Sequence, residues 1–483
     1  MIRPSGLFHL NGLFLMVLAG SMMVPLVYGL AAGSGGLGSF AIAVAVTAAA
    51  GAVLFRGGRR PPSDLSVREG ILLVVTVWAT ACFFGCLPFW FSPHFSSFTD
   101  ALFESTSGFT TTGSTVLPRV EVLPPALQLW RCFTHWLGGM GIVLLGIAVL
   151  PLLGTGGMHL YRAEFSGAKS EKLRPRIAET VLALWKIYVA LTLGLYVALR
   201  LTGMDRFESA CHAFSTLGTG GFSTRTASIA EFRSPSIEAV LIVFMVLAGI
   251  NFTMHYRLWV ERRSRLFFGD PEIRAYAAAI LLSTAAITWS LHQQAALEGW
   301  PALRTALFQV VSITTTTGFV TADYEQWLPL PQLLLLALMF SGGCTGSTAG
   351  GLKISRLVLL WRVISREFKR MVERRGVFVI RLAGEAIPET SIQALLNLVY
   401  LSFLINFTAC LMLAAMGLDV LTSISAVAAS MFNVGPGLGD VGPAKHYGGL
   451  PAPAKWVLSI CMLAGRLEFY TLLVVLTPSF WRK

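Results

Sequence analysis

The sequence predicts an all-α polytopic membrane protein of about ten spanning helices. Three observations carry this. Only 13% of the 483 residues are charged and 54% are hydrophobic, whereas soluble domains average roughly 25% charged. A soluble chain of this length needs far more charge to cover its surface. Apolar runs of the length that crosses about 30 Å of hydrocarbon follow one another along the chain. The net charge of +12 is gathered in short clusters: Arg56 to Arg60, Arg162 to Arg176, Arg257 to Arg274, Lys353 to Arg381, and Arg482 with Lys483. The alternate loops carry Asp205, Glu208, Glu231, Glu298, Asp323, Glu325, Asp419 and Asp440 with few bases. That alternation places the basic loops and the C-terminus in the cytoplasm. A nucleic-acid binder would instead gather its charge on a soluble face.

Residues 7–30 and 38–55 form an N-terminal hairpin within 1–56. Arg3, the apolar run and Ala31-Ala32-Gly33 imitate a secretory signal. The run is too long for one, however, and a second follows at once, so both helices are retained.

A three-part pattern then occurs four times: a long apolar helix, a shorter amphipathic segment ending in Gly/Thr-rich sequence, and a second long helix. The copies are 70–92, 97–109 and 124–153; 178–203, 206–216 and 235–262; 271–298, 302–314 and 329–371; 389–417, 420–432 and 453–477. The units are bounded at 65–160, 170–265, 268–380 and 386–483. The Gly-rich strings align best: Phe109-Thr-Thr-Thr-Gly113, Thr216-Leu-Gly-Thr-Gly220, Thr314-Thr-Thr-Thr-Gly318 and Asn433-Val-Gly-Pro-Gly437.

The short segments cannot cross the hydrocarbon at 1.5 Å per residue, so they are re-entrant half-helices. Irregular backbone at membrane depth is tolerated only where it is buried in protein or lines a wet cavity. Thr and Gly after a half-helix therefore expose carbonyls to an aqueous axis, where they replace a cation's hydration shell. The negative, C-terminal end of each half-helix points at that cation, and threonine hydroxyls add oxygen ligands. Close helix packing by small residues explains one such string, but not four at matching positions.

Residues 342–351 hold five glycines inside the apolar stretch 329–371. Each glycine costs a helix up to about 1 kcal/mol relative to Ala. The stretch is thus read as a half-helix to 341, a loop, and an amphipathic half to about 371, with Thr345, Ser347 and Thr348 facing a wet cavity. Arg466, two residues before Glu468, is an intramembrane cation that faces the interior. It either holds the loop and repels cations or makes a structural contact. Lys353 is read likewise. Arg131 and His135, four apart on one helix face, are either a cavity pair or a packing and dimer-interface feature, and the packing reading is preferred.

Seven cysteines show no zinc spacing, and eight histidines form no HExxH. No nucleophile–base pair, paired intramembrane carboxylates, Walker motif or Rossmann motif occurs. The expectation is a non-enzyme that binds no cofactor.

Several strings are specific enough to carry a resemblance: Ser107-Gly-Phe-Thr-Thr-Thr-Gly-Ser114, His135-Trp-Leu-Gly-Gly-Met-Gly-Ile142, Tyr161-Arg-Ala-Glu164, Pro175-Arg-Ile-Ala-Glu-Thr180, Ser215-Thr-Leu-Gly-Thr-Gly-Gly-Phe-Ser223, Gly342-Gly-Cys-Thr-Gly-Ser-Thr-Ala-Gly-Gly351, Gly435-Pro-Gly-Leu-Gly439 and Gly465-Arg-Leu-Glu468. With them the chain resembles the Trk/Ktr/HKT superfamily of cation transporters over its full length, most closely the bacterial Trk-type potassium uptake subunit. The resemblance implies four M1–P–M2 repeats around a pseudo-fourfold pore in the inner membrane, with potassium as the transported ion. It implies a filter of Thr110, Thr111, Thr112 and Gly113; Leu217, Gly218, Thr219 and Gly220; Thr315, Thr316, Thr317 and Gly318; and Val434, Gly435, Pro436 and Gly437. Gly113, Gly220, Gly318 and Gly437 take the four glycine places. Serine at the first place accompanies sodium passage in the family, so four glycines favour potassium. Leu217-Gly218 and Pro436 depart from a Thr-rich filter and leave a less selective sodium/potassium or ammonium pathway as the alternative. The resemblance also implies a gate of Gly342, Gly343, Thr345, Gly346, Ser347, Thr348, Gly350 and Gly351 with Lys353 and Arg466. A homodimer in membrane lipid and a cytosolic nucleotide-binding regulatory subunit are implied as partners.

Overall fold

The computed structural model describes residues 3–35, 37–59, 65–148, 173–293, 299–382 and 385–482. Tyr161–Glu164, much of the Arg162–Arg176 cluster, Arg60, Glu298 and Lys483 lie outside the described residues.

The N-terminal hairpin pairs helices Pro4–Ala31 and Leu37–Gly57. Helix Val67–Gly85 starts at a capping box, where Ser66 Oγ accepts from Glu69 N and Glu69 returns a bond to the Ser66 N–H. Six described helices are long and apolar enough to cross a membrane, and two bent pairs bring the number to eight. Pro125–Ala148 and the interrupted pair Pro329–Phe340 and Ile354–Val372 take the remaining two expected places. Beside the helices, Arg381–Leu382 pairs antiparallel with Glu385–Ala386.

Four short helices lie between the long ones: Phe98–Phe109, Arg206–Leu217, Gly299–Thr314 and Val420–Met431. At 1.5 Å per residue they are about 18–24 Å long, short of a crossing. Side chains of Ser97, Asp205 and Asp419 accept backbone N–H bonds at the starts of three of them, as helix N-termini require. Their C-terminal turns are buried together in the middle of the bundle.

Two spans expected to be single are broken. Pro235–Ala248 and Phe252–Trp259 meet at 100°, and Ala452–Arg466 and Tyr470–Leu476 at 115°. At the first break the freed backbone groups find partners in the Gly-rich loop. Cys344 N donates to Gly249 O at 2.8 Å and Phe252 N to Gly346 O at 3.1 Å. Asn251 Oδ1 caps the new helix through Thr253 N. At the second break Glu468 and Phe469 take left-handed angles, φ +56° and +53°. The apolar pattern runs through both corners, which is why hydropathy does not reveal them. The break in the third unit falls where expected, and the loop is pinched shut by Gly342 N to Leu352 O (2.7 Å) and Leu352 N to Phe340 O (3.1 Å).

Candidate functional site

Each short helix ends in the same backbone figure. Thr112, Gly220, Thr317 and Val434 each donate N–H to the carbonyl five residues earlier, all at 2.8 Å. The residue before each, Thr111, Thr219, Thr316 or Asn433, has φ of 53–55°, and the residue after each, Gly113, Gly221, Gly318 or Gly435, has φ of 80–102°. Left-handed backbone costs an L side chain about 1–2 kcal/mol, so glycine in the last place has a physical reason.

The four glycines close a ring. A Cβ at Gly113 would lie 2.0 Å from Gly220 O, one at Gly221 2.0 Å from Thr317 O, one at Gly318 2.1 Å from Val434 O, and one at Gly435 2.5 Å from Thr112 O. Each segment thus abuts the next, and the fourth abuts the first. All four glycines line one cavity of about 80 Å³.

This register corrects two expected equivalences. Gly221, not Gly220, corresponds to Gly113, and Gly435, not Gly437, does so in the fourth segment. Leu217 is the last helical residue before its segment and lies in the apolar core. Gly437 accepts a bond from Tyr324 Oη at 3.2 Å, while Pro436 lines the cavity. The second string holds Gly218, Gly220 and Gly221, and only φ separates them. With the corrected register all four segments have Gly in the ring place, and Thr111, Thr219, Thr316 and Asn433 stand two places before it.

The threonine hydroxyls brace the segments. Thr110 and Thr112 share a bond of 2.8 Å, as do Thr315 and Thr317. Thr110 also donates to Thr106 O and Thr315 to Val311 O. Asn433 Nδ2 ties the fourth segment to the first through Thr112 Oγ1, 3.0 Å, and to the last span through Met462 O, 3.0 Å.

Arg131 and His135 do more than fill space. Arg131 is buried against Glu104, Nε to Oε1 2.7 Å, stacks over Phe222 at 4.1 Å, and lines the cavity. The His135 ring stacks on Phe222 at 4.2 Å and fills the space a Cβ at Gly220 would need. Glu104 also accepts from Thr115 Oγ1 and Val116 N, so it positions the first segment and the arginine together. Around the mouth, Arg225 bonds Glu208 at 2.7 Å. That carboxylate raises the proton affinity of the guanidinium.

The Gly-rich loop lies against the ring. Gly350 N donates to Thr316 Oγ1 at 2.7 Å, and a Cβ at Gly350 would meet Phe432 O at 2.4 Å. Arg466, 1% exposed, donates to Thr348 O in the loop and Gly138 O in the helix Pro125–Ala148, both at 3.0 Å. The buried Lys353 ammonium bonds Ala349 O. Glu272, which the sequence does not single out, accepts from Thr345 N (2.7 Å), Thr345 Oγ1 (3.1 Å) and Ser355 N (3.0 Å). Arg356, at the loop's foot, reaches Glu468 at 2.6 Å. The loop's remaining hydroxyls bond protein rather than facing the expected wet cavity: Ser347 Oγ donates to Cys344 O, and Thr348 Oγ1 to Ala248 O. Gly346 and Gly351 take φ of +74° and +70°. Gly343 abuts Gly249 O, 2.7 Å from the place of a Cβ.

Among the described residues, no three His, Cys, Asp or Glu side chains cluster as a metal site requires. Glu104, Glu272 and Asn433 were the residues missed. The only sequence signal for the first two is a carboxylate on an otherwise apolar or short helix.

Comparison with known proteins agrees in fold and length. The profile of the TrkH family, described as a cation transport protein, matches residues 37–483. The Trk system potassium uptake protein TrkH of Vibrio parahaemolyticus is 41% identical over 482 residues, 99% of each chain. Its namesake in Halomonas elongata is 39% identical over 482 residues, again 99% of each. The crystal structure of the potassium transporter TrkH from Vibrio parahaemolyticus superposes with a TM-score of 0.93 at 39% identity, covering 100% of both chains.

Proposed function

This chain belongs to the TrkH family of cation transport proteins, and from that membership we propose that it takes up potassium across the inner membrane through the ring of Gly113, Gly221, Gly318 and Gly435. The closed contact of the four glycines around one cavity is the observation that carries the proposal. Four half-helices end there, each bringing the negative end of its dipole to the centre. The hydroxyls of Thr110, Thr112, Thr315 and Thr317 are engaged as braces, which leaves backbone carbonyls as the ion's main ligands, replacing its hydration shell. We read the four repeats as units 65–160, 170–265, 268–380 and 386–483, each contributing one of these segments.

The loop from Gly342 to Gly351 is the gate. Its bond to Thr316 places it against the ring. Arg466 and Lys353 hold it by carbonyls, and their charge opposes a cation in the closed path. The basic loops face the cytoplasm. There a nucleotide-binding regulatory subunit docks and moves the helix Ile354–Val372, which the Arg356–Glu468 pair links to the segment after Arg466. The chain works as a homodimer, one pore in each copy.

A less selective sodium/potassium or ammonium pathway is favoured by one observation: Phe432 and Val434 stand where the first and third segments have Thr. Rubidium uptake into proteoliposomes, with sodium, lithium and ammonium as competitors, decides between them. Selective uptake of rubidium with weak competition is expected. Equal sodium and rubidium flux refutes potassium selectivity.

A further inference from the structure

Far from the ring, a cavity of about 520 Å³ opens beside both chain ends. Phe8 and Asn11 stand on one wall, on the first helix. Arg68, Leu72 and Thr76 stand on the other, at the i, i+4, i+8 spacing of one helix face. Trp481 and Arg482 close it.

Its two ends differ in chemistry. At the rim, exposed Arg68 donates Nη1 to the Arg482 carbonyl at 2.6 Å, and Arg482 itself lines the cavity. The helices beginning at Pro4 and Val67 both start at this end, so two positive dipole ends add to the two guanidinium groups. Glu69, the carboxylate of that helix start, is already committed to Arg3 at 2.8 Å.

The inner end is polar within an apolar wall. Asn11 lies seven residues into the first helix, about 10 Å below its start, and is only 6% exposed. Its Nδ2 donates to Leu7 O at 3.0 Å and Thr76 Oγ1 at 3.1 Å. Thr76 spends its own proton on Leu72 O. Asn11 thus ties the two walls together at the inner end.

We propose that this cavity binds an anionic phospholipid. The phosphate sits between Arg68 and Arg482. One acyl chain lies on Phe8 and Leu72. The occupant is a lipid because the cavity joins a cationic rim to an apolar wall over about one leaflet's polar depth. It is anionic because, among the described residues, the rim offers cations and a carboxylate already committed to Arg3. The site is independent of the ion conducted.

Native mass spectrometry tests this on the full chain, released from micelles doped with phosphatidylglycerol or with phosphatidylethanolamine of identical acyl chains. The unsubstituted chain is expected to retain one phosphatidylglycerol per copy and at least fivefold less phosphatidylethanolamine. The double variant Arg68→Gln/Arg482→Gln loses that retention at least fivefold. An unchanged melting temperature of the lipid-free variant shows that it folds. Equal retention of the two lipids, or phosphatidylglycerol retention undiminished in the double variant, overturns the proposal.

Discussion

Replacing Gly435 by alanine tests the ring register, and replacing Gly437 is its control. At Gly435, φ is +102°, and a Cβ would lie 2.5 Å from Thr112 O, about 0.9 Å inside the 3.4 Å where ordinary contact begins. The obstacle is backbone, so it cannot rotate away. Such a residue stores about 1–3 kcal/mol of strain, relieved only by pushing the first segment's carbonyl off the axis. A loss of ~1.4 kcal/mol in the difference between potassium and sodium binding is tenfold in selectivity. At Gly437 φ is unexceptional, and the nearest atoms are the side-chain ends Val441 Cγ2 at 2.8 Å and Ser425 Oγ at 3.0 Å. The crowding there is of order 1 kcal/mol and lies outside the cavity. Rubidium uptake under sodium competition is measured for both variants, with melting temperature as the check on folding. Gly435→Ala is expected to lose selectivity about tenfold, and Gly437→Ala to stay within twofold. The opposite ranking, with both proteins folded, refutes the register.

Three further outcomes follow from the same geometry. Arg466→Ala removes two charge-assisted bonds to carbonyls, each worth about 1.5–3 kcal/mol. Basal rubidium flux is expected to rise several-fold, and unchanged flux from a folded variant contradicts the restraint on the loop. Glu272→Gln keeps the shape but weakens acceptance from Thr345 and Ser355; a rise in basal flux smaller than that of Arg466→Ala is expected, and a fall counts against its role in holding the loop closed. Lys455→Met leaves Asp100 buried without the ammonium now 2.6 Å away. Breaking a buried pair costs about 3–5 kcal/mol, so the melting temperature should fall by several degrees, and an unchanged value means the pair adds no stability.

What the sequence determined by itself is whatever rests on local chemistry. Spans follow from hydropathy, half-helices from their length, and the third-unit break from five clustered glycines. The potassium-type resemblance rests on the same strings. The tertiary structure decided the rest. The ring register depends on φ at Gly221 and Gly435, and neighbouring glycines in one string look alike until another segment's carbonyl closes on one of them. The break at Gly249 exists because the Gly-rich loop satisfies the backbone groups it frees, and at the second corner Arg356 pairs with the Glu468 carboxylate. Glu104 and Glu272 matter only through partners met across the fold, Arg131 and the backbone of residues 345 and 355. Apolar pattern and capping are written within a few residues of each site. Hydrogen-bond satisfaction at membrane depth is settled between segments tens to more than a hundred residues apart.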